Sequence, residues 1–461
     1  MRQYRGVVRL SLAVALVAVT AMAVQGKESH QWTKQQRALT QEYVAEEMPP
    51  GFQVVIAEVE GPVFADASGK TLYIWPVTAL RNGNAGELKG RPTCDATPTK
   101  VTTGLQSPYP GGLELPEVST RPSCVQVWPP VLADASAKPV GKWTILDGPG
   151  GRKQWAYDGQ ALYTSVLDKK RGDNWGQSNN NPGGDSSGAS REPAGPPPNI
   201  PPQFAVKSYK NGRLLTLADT KSIYVYDKDA PNKSNCTGAC LEKFTPVLAP
   251  ENVLPQGAWS IIERSSGVKQ WAYRKQPVYT YNLEDKTPSF EGGDEPGWRN
   301  VFTQLAPAFP KGFQITDTNA GQVLADTKGR TIYLYNCNDD ATDQLDCSHP
   351  SQPQAYRLAL CGKGDWKRCQ ETFPYLLAAN DEKSESQIWS IKYINAASGR
   401  WVEPGDPGAL RVWAYRDRPV YLCGRDRNPG DFDCDGWGEF SAGRNGWKAF
   451  WIRDVYGRNG I

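Results

Sequence analysis

The chain has two histidines, His30 and His349, three methionines, and no Cys-x-x-Cys pair. These shortages exclude several chemistries. Ser-His-Asp and Cys-His nucleophile systems would both rest on the lone imidazole of His349. Zinc held by Cys and His lacks both the spacing and the imidazoles. Covalent haem attachment lacks a Cys-x-x-Cys-His. There is no phosphate-cradling glycine loop and no dinucleotide fingerprint. Beyond the N-terminal region no apolar run reaches the roughly 18 residues that span a bilayer. Long helical periodicity is missing too, and only the polar segment Gln31–Glu47 reads as a short helix.

A leader is what the N-terminus does show. Arg2, Arg5 and Arg9 precede an apolar run from Leu10 to Val24, and Ala21-Met22-Ala23 fits the small-x-small cleavage pattern. Residues 1–23 are therefore expected to be a signal peptide, and the mature chain extracytoplasmic. No cysteine lies near the cleavage site, so no lipid anchor is expected. Removing those three arginines takes 52 basic side chains to 49, against 49 acidic ones. A near-neutral chain argues against nucleic acid as the partner.

Ten cysteines in an exported chain point to disulfides. Proximity in sequence suggests Cys236 with Cys240, Cys337 with Cys347, Cys361 with Cys369, and Cys423 with Cys434. Cys94 and Cys124 remain as the fifth pair.

Internal repetition decides the architecture. Gln154-Trp155-Ala156-Tyr157 recurs as Gln270-Trp271-Ala272-Tyr273 and as Val412-Trp413-Ala414-Tyr415. A second tyrosine follows six residues later each time, at Tyr163, Tyr279 and Tyr421. Trp143 and Trp259 precede the next tryptophan by twelve positions, whereas Trp389 to Trp413 is twice that, which locates an insertion near 398–408. A different unit precedes each of these, with Asp66, Gly69 and Tyr73, then Asp219 and Tyr224, then Asp326, Gly329 and Tyr333. The chain reads as A-B, A-B, A-B.

Short runs of Val, Ile, Thr, Tyr and Trp between Gly, Asn, Asp and Pro make both half-units β. The expected fold is all-β, with six half-repeats of three to four antiparallel strands. A six-bladed propeller is favoured over three tandem small sandwiches or barrels, because the middle units are evenly spaced. The expected organisation is an N-terminal extension at 24–50, modules at 51–175, 204–308 and 309–455, and a tail at 456–461. Residues 176–203, rich in Pro, Gly, Ser and Asn, read as an exposed linker. A second irregular insertion spans about 82–117.

Tyr224-x-Tyr226-x-x-Asp229, Cys236, Cys240, Gln270-Trp271-Ala272-Tyr273 and Pro277-Val278-Tyr279 resemble a bacterial secreted-repeat family of predicted lipoproteins. That family is named for its tyrosine-aromatic-aspartate signature. The similarity covers nearly all of 50–455. Module 1 departs with Thr78, and module 3 with Asn338, at the Asp position. In the B units Ser165 and Cys423 stand at the second aromatic position, and Glu284 replaces the acid that Asp168 and Asp426 keep. The resemblance implies an extracytoplasmic bacterial protein, with no reaction or ligand attached.

Two motifs offer themselves as sites. Tyr224, Tyr226 and Asp229 would make a ligand platform of stacking faces beside a carboxylate. The alternative, favoured because the motif recurs in every unit, is sheet packing with the Asp capping a turn. Asp431, Asp433 and Asp435, followed by Gly436 and with Glu439 beyond, have the alternating carboxylates that wrap calcium. It is not an EF-hand, since the twelfth loop position is Ala442, and a solvated acidic turn is the alternative. The expected function is an exported, non-catalytic β-repeat scaffold or binding module of the bacterial cell envelope, contacting an envelope protein or extracellular polymer. The alternative is an extracytoplasmic enzyme or redox-accessory protein with a calcium-stabilised acidic site.

Overall fold

Branched and aromatic residues alternating with turn formers produce one hairpin at the head of each half-unit. In the A units these are Gln53–Ala57 with Gly61–Ala65, Phe204–Tyr209 with Gly212–Leu217, and Gln314–Thr318 with Gly321–Ala325. In the B units they are Trp143–Gly148 with Arg152–Tyr157, Trp259–Glu263 with Lys269–Tyr273, and Trp389–Asn395 with Ala409–Tyr415. The insertion in the last one adds a short outer strand, Trp401–Val402. The computed structural model describes residues 43–76, 78–80, 83–97, 123–176, 191–209, 211–284, 287–337, 361–362, 365–384, 386–437 and 445–454. Nearly all their regular structure is antiparallel β, so the fold is all-β. Among these residues no helix is long and apolar enough to cross a membrane.

Asp-x-x-Gly performs as turn chemistry requires. Asp66 Oδ1 accepts the backbone N–H groups of Ser68 and Lys70, and Asp326 Oδ1 those of Lys328 and Arg330. Gly69 and Gly329 take φ of 90° and 77°, which a Cβ would penalise. The signature strand follows directly.

Strand pairing groups the half-units two by two. The first signature tyrosine lies opposite the second tyrosine of the same module, as Tyr73↔Tyr163, Tyr224↔Tyr279 and Tyr333↔Tyr421. On its other side runs a strand that closes the module: Glu192–Pro193, Trp298–Asn300 and Asn445–Ala449. A and B strands thus share sheets, whereas a propeller would give each half-unit its own blade. Among the described residues no sheet closes into a ring and no ladder joins one module to another. The strand pairing groups the half-units two by two, and the closed ring of six blades is not confirmed.

The closing strand corrects the expected linker. Arg191 and Ala194 are 3% and 2% exposed, and Ala194 bridges the backbones of Phe64 and Leu72. The Pro-rich composition hid a strand that module 1 needs to cover its signature tyrosine. Tyr43 pairs with Pro198, and residues 43–47 are not helical.

Four of the expected disulfides are formed: Cys94–Cys124, Cys236–Cys240, Cys361–Cys369 and Cys423–Cys434. The Cys337–Cys347 pairing falls outside the described residues. Cys124, Cys240 and Cys369 hold the same place, in a short helix whose end is capped by the N–H of an aromatic four residues on: Trp128, Phe244 or Phe373.

The modules lock together through the tip of the first hairpin. Val59 is 2% exposed and packs in the core of module 3 with Leu324, Ile332 and Trp389. Its φ of 72° is a strained value for a β-branched residue, held by what surrounds it. One Glu58 carboxylate oxygen accepts from Ser386 Oγ and from the N–H groups of Gln387 and Ile388. Glu60 pairs with Arg416 at 2.8 Å, both side chains under 10% exposed.

Candidate functional site

The signature residues come together as crossed pairs between half-units. Tyr73 donates to Asp168 at 2.8 Å, Tyr224 to Glu284 at 2.8 Å, and Tyr333 to Asp426 at 2.9 Å. In the reverse sense Tyr279 donates to Asp229 at 2.7 Å, and Tyr163 donates to both oxygens of Glu87. Glu87 takes over in the module where Thr78 replaces the Asp. Each of these five tyrosines thus bonds an acid of the other half, which the sequence did not reveal because the partners lie 50 or more residues apart.

The platform motif is used in packing. Tyr224 is fully buried, Tyr226 stacks on Trp298 at 4.5 Å, and the Asp229 carboxylate also accepts from the N–H of Asn235. The turn-capping alternative describes Asp229, with the added phenol bond. Tyr224, Tyr226 and Asp229 line neither of the surface clefts described below.

The acidic cluster is likewise spent locally. Asp431 accepts from the N–H groups of Arg427 and Asn428. Asp435 accepts from the N–H of Ala449 and from Trp451 Nε1, and the N–H of Asp433 donates to Asp426. Among the described residues no three His, Cys, Asp or Glu side chains are placed to hold a metal ion. Glu439 lies outside them.

Burial shifts the paired acids. It raises Asp168 to about 8, against the pull of the Tyr73 hydroxyl and the Trp175 N–H. Burial likewise raises Glu284 to about 7 and Asp426 to about 6. The folded state holds these protons more tightly than the unfolded chain, so their contribution is complete near pH 4 and is lost as pH climbs through 6, 7 and 8. The lowered acids Asp158, Glu295 and Asp431 act only below that window. Calorimetry should find a higher Tm at pH 5.5 than at pH 8.5, and Asp168→Asn should flatten the slope above pH 6.5. A Tm that rises with pH across this range would contradict the assignment.

Each module also has a slot walled by three aromatics and filled from the closing strand. In module 2, Tyr226, Phe244 and Tyr279 surround Trp298, with Phe244 stacked at 3.4 Å. In module 3, Tyr335, Phe373 and Tyr421 surround Trp447, with Phe373 stacked at 3.8 Å. In module 1 the walls are Trp75, Trp128 and Tyr163, and the occupant is Arg191.

Among the described residues, two of the surface clefts lie between modules. One of about 400 Å³ combines Phe290, Trp298 and Phe302 of module 2 with Gln322, Ile452 and Arg453 of module 3. Arg453 pairs across it with Asp294. The other, about 330 Å³, includes Glu58, Pro307–Lys311, Lys383 and Trp389. The cleft between modules 2 and 3, with partly exposed rings beside amides and charges, has the mixed lining of a binding surface. No family model, curated protein or solved structure matches the chain.

Proposed function

We propose that this protein is an exported, non-catalytic scaffold or binding module of the bacterial cell envelope; its resemblance to the secreted-repeat family implies the extracytoplasmic bacterial setting alone. The disulfides fit an oxidising compartment. The observation that carries the reading is the consumption of the repeated chemistry in packing. The repeated tyrosines and carboxylates with chemical potential bond each other inside the modules, and the Glu58–Glu60 tip ties modules 1 and 3 into one body.

Rigid repetition also repeats the surface. Leu132, Leu248 and Leu377 hold equivalent places after Trp128, Phe244 and Phe373, and each is more than half exposed. Single exposed leucines need no explanation, but the same exposure in three modules gives the molecule a regular set of apolar contact points. Together with the aromatic cleft they suit an extended polymer or protein partner.

The test is sedimentation of the mature protein with isolated peptidoglycan, chitin and cellulose, alongside turnover assays on chromogenic glycosides and redox dyes. Retention on a polymer, weakened about tenfold or more in the triple Leu132→Asp, Leu248→Asp, Leu377→Asp variant with unchanged Tm, is the expected result. Turnover of any substrate that is lost on replacing Asp168, Glu284 or Asp426 would overturn the reading.

A further inference from the structure

The three slots are equivalent by strand register. Tyr226↔Trp298 and Tyr335↔Trp447 are directly opposed in modules 2 and 3. In module 1, Tyr73↔Pro193 and Ile74↔Glu192 continue to Trp75 opposite Arg191. The structure therefore places an arginine where its two sister modules place a tryptophan. The surroundings match the change. The guanidinium carbon lies 3.9 Å from the Trp75 ring centroid, 4.6 Å from that of Trp128, and 5.6 Å from that of Tyr163. Tryptophan offers the strongest aromatic face to a cation, and module 1 supplies two where the others use tyrosine and phenylalanine.

Charge follows the same logic. Burial holds the Arg191 guanidinium down to about 10, and the Glu87 carboxylate, 1% exposed, pulls the other way. That carboxylate is fixed by the Tyr163 hydroxyl and the N–H groups of Thr93 and Cys94. One Arg191 Nη donates to Cys124 Sγ at 3.3 Å, while its Nε has no partner. Trp75 is only half-buried and forms the outer wall, so the slot is one ring away from solvent.

We propose that module 1 carries a cation-binding cage selective for a planar guanidinium, occupied in this molecule by its own Arg191. The ligand class is a guanidinium such as an arginine side chain, faced by two indoles and by a phenol whose hydroxyl is bonded to the buried Glu87 carboxylate. Closure of module 1 then depends on a cation, whereas closure of modules 2 and 3 depends on ring stacking.

Arg191→Ala empties the cage and allows a direct test. Melting is followed with methylguanidinium chloride at about 20 mM, with methylurea as the neutral analogue of the same shape and KCl matching the ionic strength. The expected result is a lowered Tm that methylguanidinium raises by about 2 °C or more, while methylurea does not and the filled wild-type cage does not respond. Should Arg191→Ala fail to fold when expressed, the folded fraction recovered on refolding with each additive replaces the Tm. No gain from methylguanidinium in either measurement, or an equal gain from methylurea, would overturn the cage.

Discussion

Arg416→Ala is expected to cost about 3–5 kcal/mol of stability, because it removes the cation that pairs with the buried Glu60 carboxylate in the contact between modules 1 and 3. Burial opposes the Arg416 charge, but the Glu60 carboxylate and Tyr415 together outweigh it and hold the guanidinium above its ordinary range. Glu60 also accepts from Asn174, so the carboxylate is fixed from both modules and has little freedom to find water once the arginine is gone. The double variant Glu60→Met with Arg416→Met should recover much of the loss, since an apolar pair of similar volume leaves no buried charge behind. Urea unfolding of the two single variants and the double gives the coupling directly. A cost below about 1 kcal/mol for Arg416→Ala would show that the pair is screened by solvent and that module 1 is only loosely attached.

That clasp was the least legible part of the chain. Glu58-Val59-Glu60-Gly61 carries no turn signal except its glycine, and nothing local announces that the valine belongs to a core over 260 residues away. The repeated Trp-Ala-Tyr strings were legible because they pack identically in each module, so similar surroundings demanded similar residues at fixed spacing. The all-β class and the Asp-x-x-Gly turns followed from that local chemistry. Pairing of the half-units was not legible, because even spacing is equally compatible with blades and with two-part modules. The strand pairing of Tyr73 with Tyr163 and of Tyr224 with Tyr279, and the hydrogen bonds of Tyr73 to Asp168 and of Tyr224 to Glu284, reveal which halves belong together. A signal was present: Asp168, Glu284 and Asp426 recur at one position of the B unit. Their meaning lay in a partner from the other half. The closing strand of module 1 was masked by its prolines, since Arg191 breaks the tryptophan pattern that would have matched it to Trp298 and Trp447.

Trp447→Ala should be as damaging as the loss of Arg416, but through packing and within one module. Trp447 has no exposed surface and stacks on Phe373 at 3.8 Å with planes 9° apart, with Tyr335 and Trp437 also against it. Truncation leaves a cavity the size of an indole, and such changes cost about 3–5 kcal/mol. The ring also fastens a strand whose partner, Tyr335, lies about 110 residues earlier, so closing that long loop depends on what the strand anchors once it arrives. Trp447→Phe keeps a stacking face and should lose less than half as much. Hydrogen exchange should show faster exchange at the amides of Leu334, Trp447 and Phe450, while the module 1 amides of Leu72 and Tyr163 keep their protection. Equal loss of protection in module 1 would mean that the clasp makes the two modules one cooperative unit, and the closing strands would then stand or fall together.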